Sequence, residues 1–123
     1  MRSEEFLVES EILLEKFVIR KSFGKNWEYG IGDHFMARLA EPARNVPWSY
    51  IERIVKRFPY IKPQLEQMVN FPKFYIRDNE TNVELGCKIT SFGDPELKLV
   101  YVNTIVISDH VRNSDTPTII ARS

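Results

Sequence analysis

His34 and Arg38 stand four residues apart, a spacing that puts two side chains on one face of a helix. Histidine can take or give a proton near neutral pH. A guanidinium offers a fixed fork of donors that can grip a phosphate and stabilise charge growing on its oxygens. Side by side, the two residue types suit phosphodiester chemistry. The same spacing also occurs on plain solvated helices, so the pair carries meaning only if other elements bring partners to it. Phe35 and Leu39 form an apolar pair offset by one position. One helix can therefore bury a flank while presenting His34 and Arg38 on another.

The elements that must position this pair follow from the pattern around it. Asp33 stands where an N-cap belongs, for a helix running from His34 to about Glu41 that Pro42 ends. Val46-Pro47-Trp48-Ser49 leads into a second helix. Ser49 is its natural cap, Glu52 completes a capping box, and Ile51, Ile54, Val55 and Phe58 recur at spacings of three and four until Pro59. A short helix over residues 63–70 carries Leu65 and Met68 inward. From Phe71 the period changes to two. Residues 73–77 read as a strand, 78–82 as a turn, and Val83, Leu85, Cys87 and Ile89 as one face of a second strand. Residues 97–108 form the longest strand, apolar on both faces, which places it centrally. Residues 117–120 could add an edge strand.

Residues 3–23 read either way: a helix suits 4–16, and the β-branched run Phe17-Val18-Ile19 suits a strand. Residues 24–33 hold three of the five glycines and read as a loop. The expectation is an α+β fold, N-terminal helices packed on one face of an antiparallel β-meander. It forms a single domain over 1–123, with an extension at 1–32, a core at 33–108 and a tail at 109–123. Nothing protects the edge at residues 73–77, which leaves it open to pairing in a homodimer.

Composition narrows the class. A chain of 123 residues with 43% hydrophobic and 28% charged side chains is one ordinary globular domain. A lone cysteine, Cys87, rules out an internal disulfide and fits a reducing, cytoplasmic setting. No apolar run is long enough to span a membrane, and the acidic N-terminus lacks a signal peptide's basic start. Lys plus Arg and Asp plus Glu both number 17, yet residues 1–16 hold five acids and two bases. The rest of the chain is mildly basic, which is compatible with nucleic-acid contact.

Two histidines and one cysteine, scattered, do not make a zinc site. The glycines form no phosphate loop, and Ser49 and Ser91 lack a nucleophile's turn. His110, in Ser108-Asp109-His110-Val111-Arg112, reads as part of a turn at a strand end. Trp27, Tyr29, Trp48 and Tyr50 read as core lids or as the lining of a groove.

The run His34-Phe35-Met36-Ala37-Arg38-Leu39, then Arg44, Val46-Pro47 before an apolar helix, and a strand meander with Thr104 in its last long strand resembles the barnase–EndoU–colicin–RelE ribonuclease superfamily. The likeness is to its small phage-borne and toxin-like members, and it spans roughly residues 33–108. It implies RNA cleavage without metal or cofactor, the RNA 2′-hydroxyl attacking the adjacent phosphorus. His34 would serve as general base or acid. Arg38 would contact the scissile phosphate, and Thr104 would bond a phosphate oxygen or orient His34. Arg44, Lys73 and Tyr75 would hold substrate, the last by stacking on a base. RNA is then the partner, together with a protein inhibitor or antitoxin. The rival readings are a non-catalytic module that captures a protein through its acidic, aromatic N-terminal region, and a structural oligomerisation domain.

Overall fold

The computed structural model describes residue 7 and residues 9–109 and 115–122. One turn of helix, α1 (Glu9–Ile12), precedes a hairpin of β1 (Phe17–Gly24) and β2 (Trp27–Gly32). Three short helices follow: α2 (Asp33–Leu39), α3 (Trp48–Val55) and α4 (Lys62–Glu66), with 3-10 turns at Pro42–Arg44 and Phe58–Ile61. The chain closes with β3 (Phe74–Asp78), β4 (Val83–Thr90), β5 (Lys98–Ile107) and β6 (Thr118–Ile120). The strands form one sheet in the order β1-β2-β5-β4-β3-β6.

This corrects the expected fold. The sheet is mixed, because β2 runs parallel to β5 and β6 parallel to β3, while the other neighbours are antiparallel. The main helices sit between the hairpin and β3 in the chain, so they are not N-terminal. Residues 17–32, expected to extend a core that starts at 33, are two strands of the sheet itself.

The error came from the glycines. Trp27, Tyr29 and Ile31 are buried in the core and alternate with Glu28, Gly30 and Gly32, which is strand periodicity. Two alternate positions are glycine because other groups lie against the backbone there. A Cβ on Gly30 would stand 2.5 Å from Phe17 Cε1, and one on Gly32 would run into the Glu15 carboxylate. Glycine in these strand positions marks close approach rather than a loop. The hairpin's own turn falls at Lys25-Asn26, with Asn26 at φ 64°, a backbone state asparagine tolerates.

The helix ends also differ from expectation. Gly32, not Asp33, is the N-cap residue of α2. Pro47 is that of α3, whose first residue is Trp48, so the Ser49–Glu52 capping box does not form. Proline near the start of a helix loses nothing, since the first N–H groups have no partner within it. Strand β3 lies between β4 and β6, so it is not an edge; among the described residues β1 and β6 are the edges.

One face of the sheet carries the core. Tyr29, Ile31, Val100, Val102, Ile105, Leu85, Cys87, Phe74 and Ile76 meet Ile51 and Ile54 of α3, Phe58 and Leu65. Burial pushes the Cys87 thiol well above its ordinary pKa, which keeps it an inert protonated thiol. A bulge sets the faces of β5. Cys87 pairs with Val102 and Gly86 with Thr104, so Asn103 is the extra residue. It turns Ile105 toward the core beside Val100 and Val102, and Thr104 to the opposite face. Strict alternation without the bulge would put Ile105 on the face of Leu99 and Tyr101 instead.

Charge fastens α3 to the end of β3. Asp78 is 2% exposed. It accepts from Arg53 Nε at 2.6 Å, from Thr81 Oγ1 at 2.8 Å and from Arg57 Nη1 at 3.4 Å, and Arg53 also pairs with Glu80. Burial alone would raise the Asp78 pKa. The hydrogen bonds from Thr81 and Arg53, with the Arg53 charge, outweigh it and hold the carboxyl below its usual range. A carboxyl lowered in the folded state contributes stability that is present above its unfolded value, about 3.9, and is lost as pH falls through the folded value. Urea melts should therefore weaken as pH drops below about 4. Asp78→Asn should be less stable at neutral pH and show a shallower acid slope; an unchanged slope would place the acid sensitivity elsewhere.

Candidate active site

β2 ends at Gly32, and its pairing with β5 stops at Ile31–Val102. β5 continues to Ile107. Among the described residues no strand lies on that side of its second half, and α2 packs there instead. Phe35 enters the core and is fully buried. The flank carrying His34 and Arg38 is only half-buried and reaches the face of β5 that bears Thr104.

Two of the side chains singled out in the sequence, Arg38 and Arg44, meet at Thr104, and His34 is bonded to Arg38. Arg38 Nε donates to His34 Nε2 at 2.9 Å, and Arg38 Nη1 donates to Thr104 Oγ1 at 3.3 Å. Arg44, carried by the 3-10 turn after α2, donates from Nη1 to the same oxygen at 3.2 Å. Arg44 is 7% exposed and lies 3.6 Å from Glu41 across its own turn. Both arginines engage further groups as well. The geometry assigns protons. His34 Nε2 accepts, so in this arrangement its ring proton is on Nδ1. Thr104 Oγ1 spends both lone pairs on the guanidinium groups, and its own O–H remains a donor.

Two residues outside that reading, Tyr101 and Glu15, adjoin the same cluster. Tyr101, fully buried on β5, donates from its hydroxyl to Glu15 Oε1 at 2.7 Å. The same oxygen lies 3.4 Å from the His34 backbone N–H. Burial and the Glu15 carboxylate push the Tyr101 pKa far up, so the phenol stays a donor. Asn103, the bulge residue, accepts from the Leu7 backbone N–H at 3.3 Å. The signal for Glu15 lay in Gly32, whose missing side chain makes room for the carboxylate. A single sequence does not reveal that pairing, since the two residues sit on different elements.

Lys73 and Tyr75 do not both lie on an outward strand face, contrary to what the sequence pattern suggests. Tyr75 pairs with Gly86, which pairs with Thr104, so it shares their face of the sheet. Its side chain is 1% exposed, not an outward platform for a base, because both faces of β3 are covered. Lys73 precedes β3 and is half-buried. His110 lies outside the described residues. Trp27 and Tyr29 are core residues, and Trp48 packs against the core's edge.

Surface depressions of about 420 Å³ and 480 Å³ lie elsewhere, the first beside Arg57, Asp78 and Arg122, the second beside Arg53, Lys56 and Tyr60. Their linings include no member of the His34 cluster and are built around the ion pairs that fasten α3. Among the described residues, no three His, Cys, Asp or Glu side chains gather to hold a metal ion, and no helix is long and apolar enough to cross a membrane. No family model, curated protein or solved structure matches the chain.

Thr104 is the hub of the cluster, and its hydroxyl is fully buried within reach of two cations. Thr104→Val keeps the shape and removes the acceptor. It should lower unfolding free energy by about 1–3 kcal/mol, read by denaturant melts. A loss no larger than that of an exposed substitution would mean that the arginines rest on other partners.

Proposed function

We propose that this protein is a small endoribonuclease of toxin or phage type. The observation that supports the reading is the meeting of Arg38 from α2 and Arg44 from the 3-10 turn at Thr104 of β5, with His34 bonded to Arg38, at a partly open edge of the sheet. A proton acceptor beside two guanidinium groups that a shared hydroxyl holds in place suits in-line cleavage of RNA.

In the resting arrangement Arg38 occupies His34 Nε2. An RNA phosphate competes for Arg38, since a guanidinium bonds an anion more strongly than a neutral imidazole. When Arg38 turns to the phosphate, Nε2 is free to take the 2′-hydroxyl proton. The 2′-oxygen then bonds to phosphorus and the bond to the 5′-oxygen breaks. The products are a 2′,3′-cyclic phosphate and a 5′-hydroxyl whose proton comes from water, and the hydroxide left by that water takes the proton from His34 and so restores it. Arg44 adds positive charge as the phosphorane forms, and Thr104, buried beneath the two arginines, orients their guanidinium groups. Glu15 and Tyr101 hold the start of α2 in place and so position His34.

A second reading has its own observation. Leu14 is 87% exposed, with Leu13 and Val18 also exposed, next to the open edge at β1. A binding module that captures a protein, including an inhibitor or antitoxin, would use such a surface.

Purified protein incubated with total RNA in EDTA should produce fragments ending in cyclic phosphate. His34→Ala should cut at least a hundredfold more slowly, on the order expected for loss of a general base, while its melting curve stays close to wild type. Intact RNA with the wild-type protein would remove the nuclease reading. A complex with a protein partner that is lost on deleting residues 1–16 would then favour the module.

A further inference from the structure

The His34 cluster does not end at Tyr101. Gly30 pairs with Tyr101 on one side and with Arg20 on the other, so Arg20 and Tyr101 share a face of the sheet. The Phe17 ring covers the gap left by Gly30, its centroid 6.0 Å from that of Tyr101 and 5.0 Å from that of Phe92, edge-on to both. The Arg20 guanidinium lies over Phe92, 4.7 Å from the ring centroid, and Arg20 Nε donates to Glu28 Oε1 at 2.6 Å. A continuous strip thus leads from the His34 cluster through Tyr101 and Phe17 to a flat cation at the edge of the sheet.

Two features set the end of this strip apart from ordinary surface. Phe92 has φ 47°, a left-handed conformation that costs a bulky residue free energy and persists only where its surroundings impose it. Its N–H donates to Thr90 Oγ1 at 3.2 Å, which holds the turn between β4 and β5 with the ring laid on Arg20. The Arg20 guanidinium carbon lies 4.7 Å from the Phe92 centroid and 5.8 Å from that of Phe17, and Glu28 pins its Nε. Its side chain is nevertheless 37% exposed. A surface arginine normally samples many rotamers; this one is held between aromatic rings and a carboxylate and stays wet.

We infer that Arg20, beside Phe92 and oriented by Glu28, is a stacking subsite for a nucleobase of single-stranded RNA whose phosphate is held at Arg38. This rests on the ribonuclease reading and adds where a neighbouring base goes. Guanidinium planes and aromatic rings both stack unpaired bases, and the strip supplies the two together. The subsite is tolerant of sequence, because every base has a π-face and the plane offers no base-edge code.

Lysine at position 20 would keep the charge and lose the plane, and the site is exposed enough for Arg20→Lys to fold. An uncleavable 2′-O-methyl RNA octamer, and versions with one abasic position moved along it, would be titrated against the full chain and against Arg20→Lys. The wild type should lose about tenfold in affinity at one abasic position. Arg20→Lys should lose about as much on the intact octamer, and nothing further at that abasic position. Wild-type binding by the variant, an equal loss on intact and abasic RNA, or a flat abasic scan with the wild type would each overturn the subsite. The two readings fail separately. Base-dependent binding without cleavage sinks the catalytic assignment alone, and His34-dependent cleavage with a flat scan sinks the subsite alone.

Discussion

β2 stops at Gly32 while β5, its parallel neighbour, runs on to Ile107. The backbone of β5 beyond Val102 still needs cover, and α2 supplies it directly from the end of β2. This one mismatch in strand length decides the rest of the site. It turns Phe35 into the core, brings His34 and Arg38 over the strand that carries Thr104, and leaves the 3-10 turn Pro42–Arg44 at the right distance for Arg44 to reach the same hydroxyl. The bulge at Asn103 completes the arrangement, since without it Thr104 would point into the apolar core.

The sequence was legible where local rules act alone. α2 and α3 follow from apolar residues at helical spacing, and β3 to β5 from alternation and from the turn residues between them. The His34–Arg38 pair was visible for the same reason, being a feature of one helix. What escaped depended on contacts between distant segments. The hairpin was hidden because Gly30 and Gly32 look like loop residues until Phe17 and Glu15 are seen lying on them. The parallel pairing of β2 with β5 leaves no local mark. Tyr75 looked outward because period two distinguishes two faces but does not say that both are covered. Glu15 looked like one acid among five in a solvated segment, yet its carboxylate bonds Tyr101 and approaches the His34 backbone.

The neutral total charge gave no hint of how the ions are used. Arg77 and Glu84 form an ion pair at 2.8 Å with exposures of 2% and 0%. They lie on adjacent strands, on the same face as Thr104. A pair so deeply buried contributes little net stability, but either partner left alone would be strongly unfavourable. Asn79 and Asn82 add hydrogen bonds to the same guanidinium. This face is thus polar and fully satisfied at Arg77, apolar and aromatic at Phe17 and Tyr101, and partly open at His34.

Thr104 lies 66 residues beyond Arg38 in the chain and 60 beyond Arg44, and both contacts require β5 to have docked beside a strand made far earlier. Pairings this distant form late, after the entropy of closing the intervening loop has been overcome. During synthesis the ribosome therefore releases every component of α2 long before there is a site for it to complete. A nascent or partly folded chain carries the histidine and arginines with nothing to organise them. Whatever chemistry the cluster performs is confined by topology to the finished molecule.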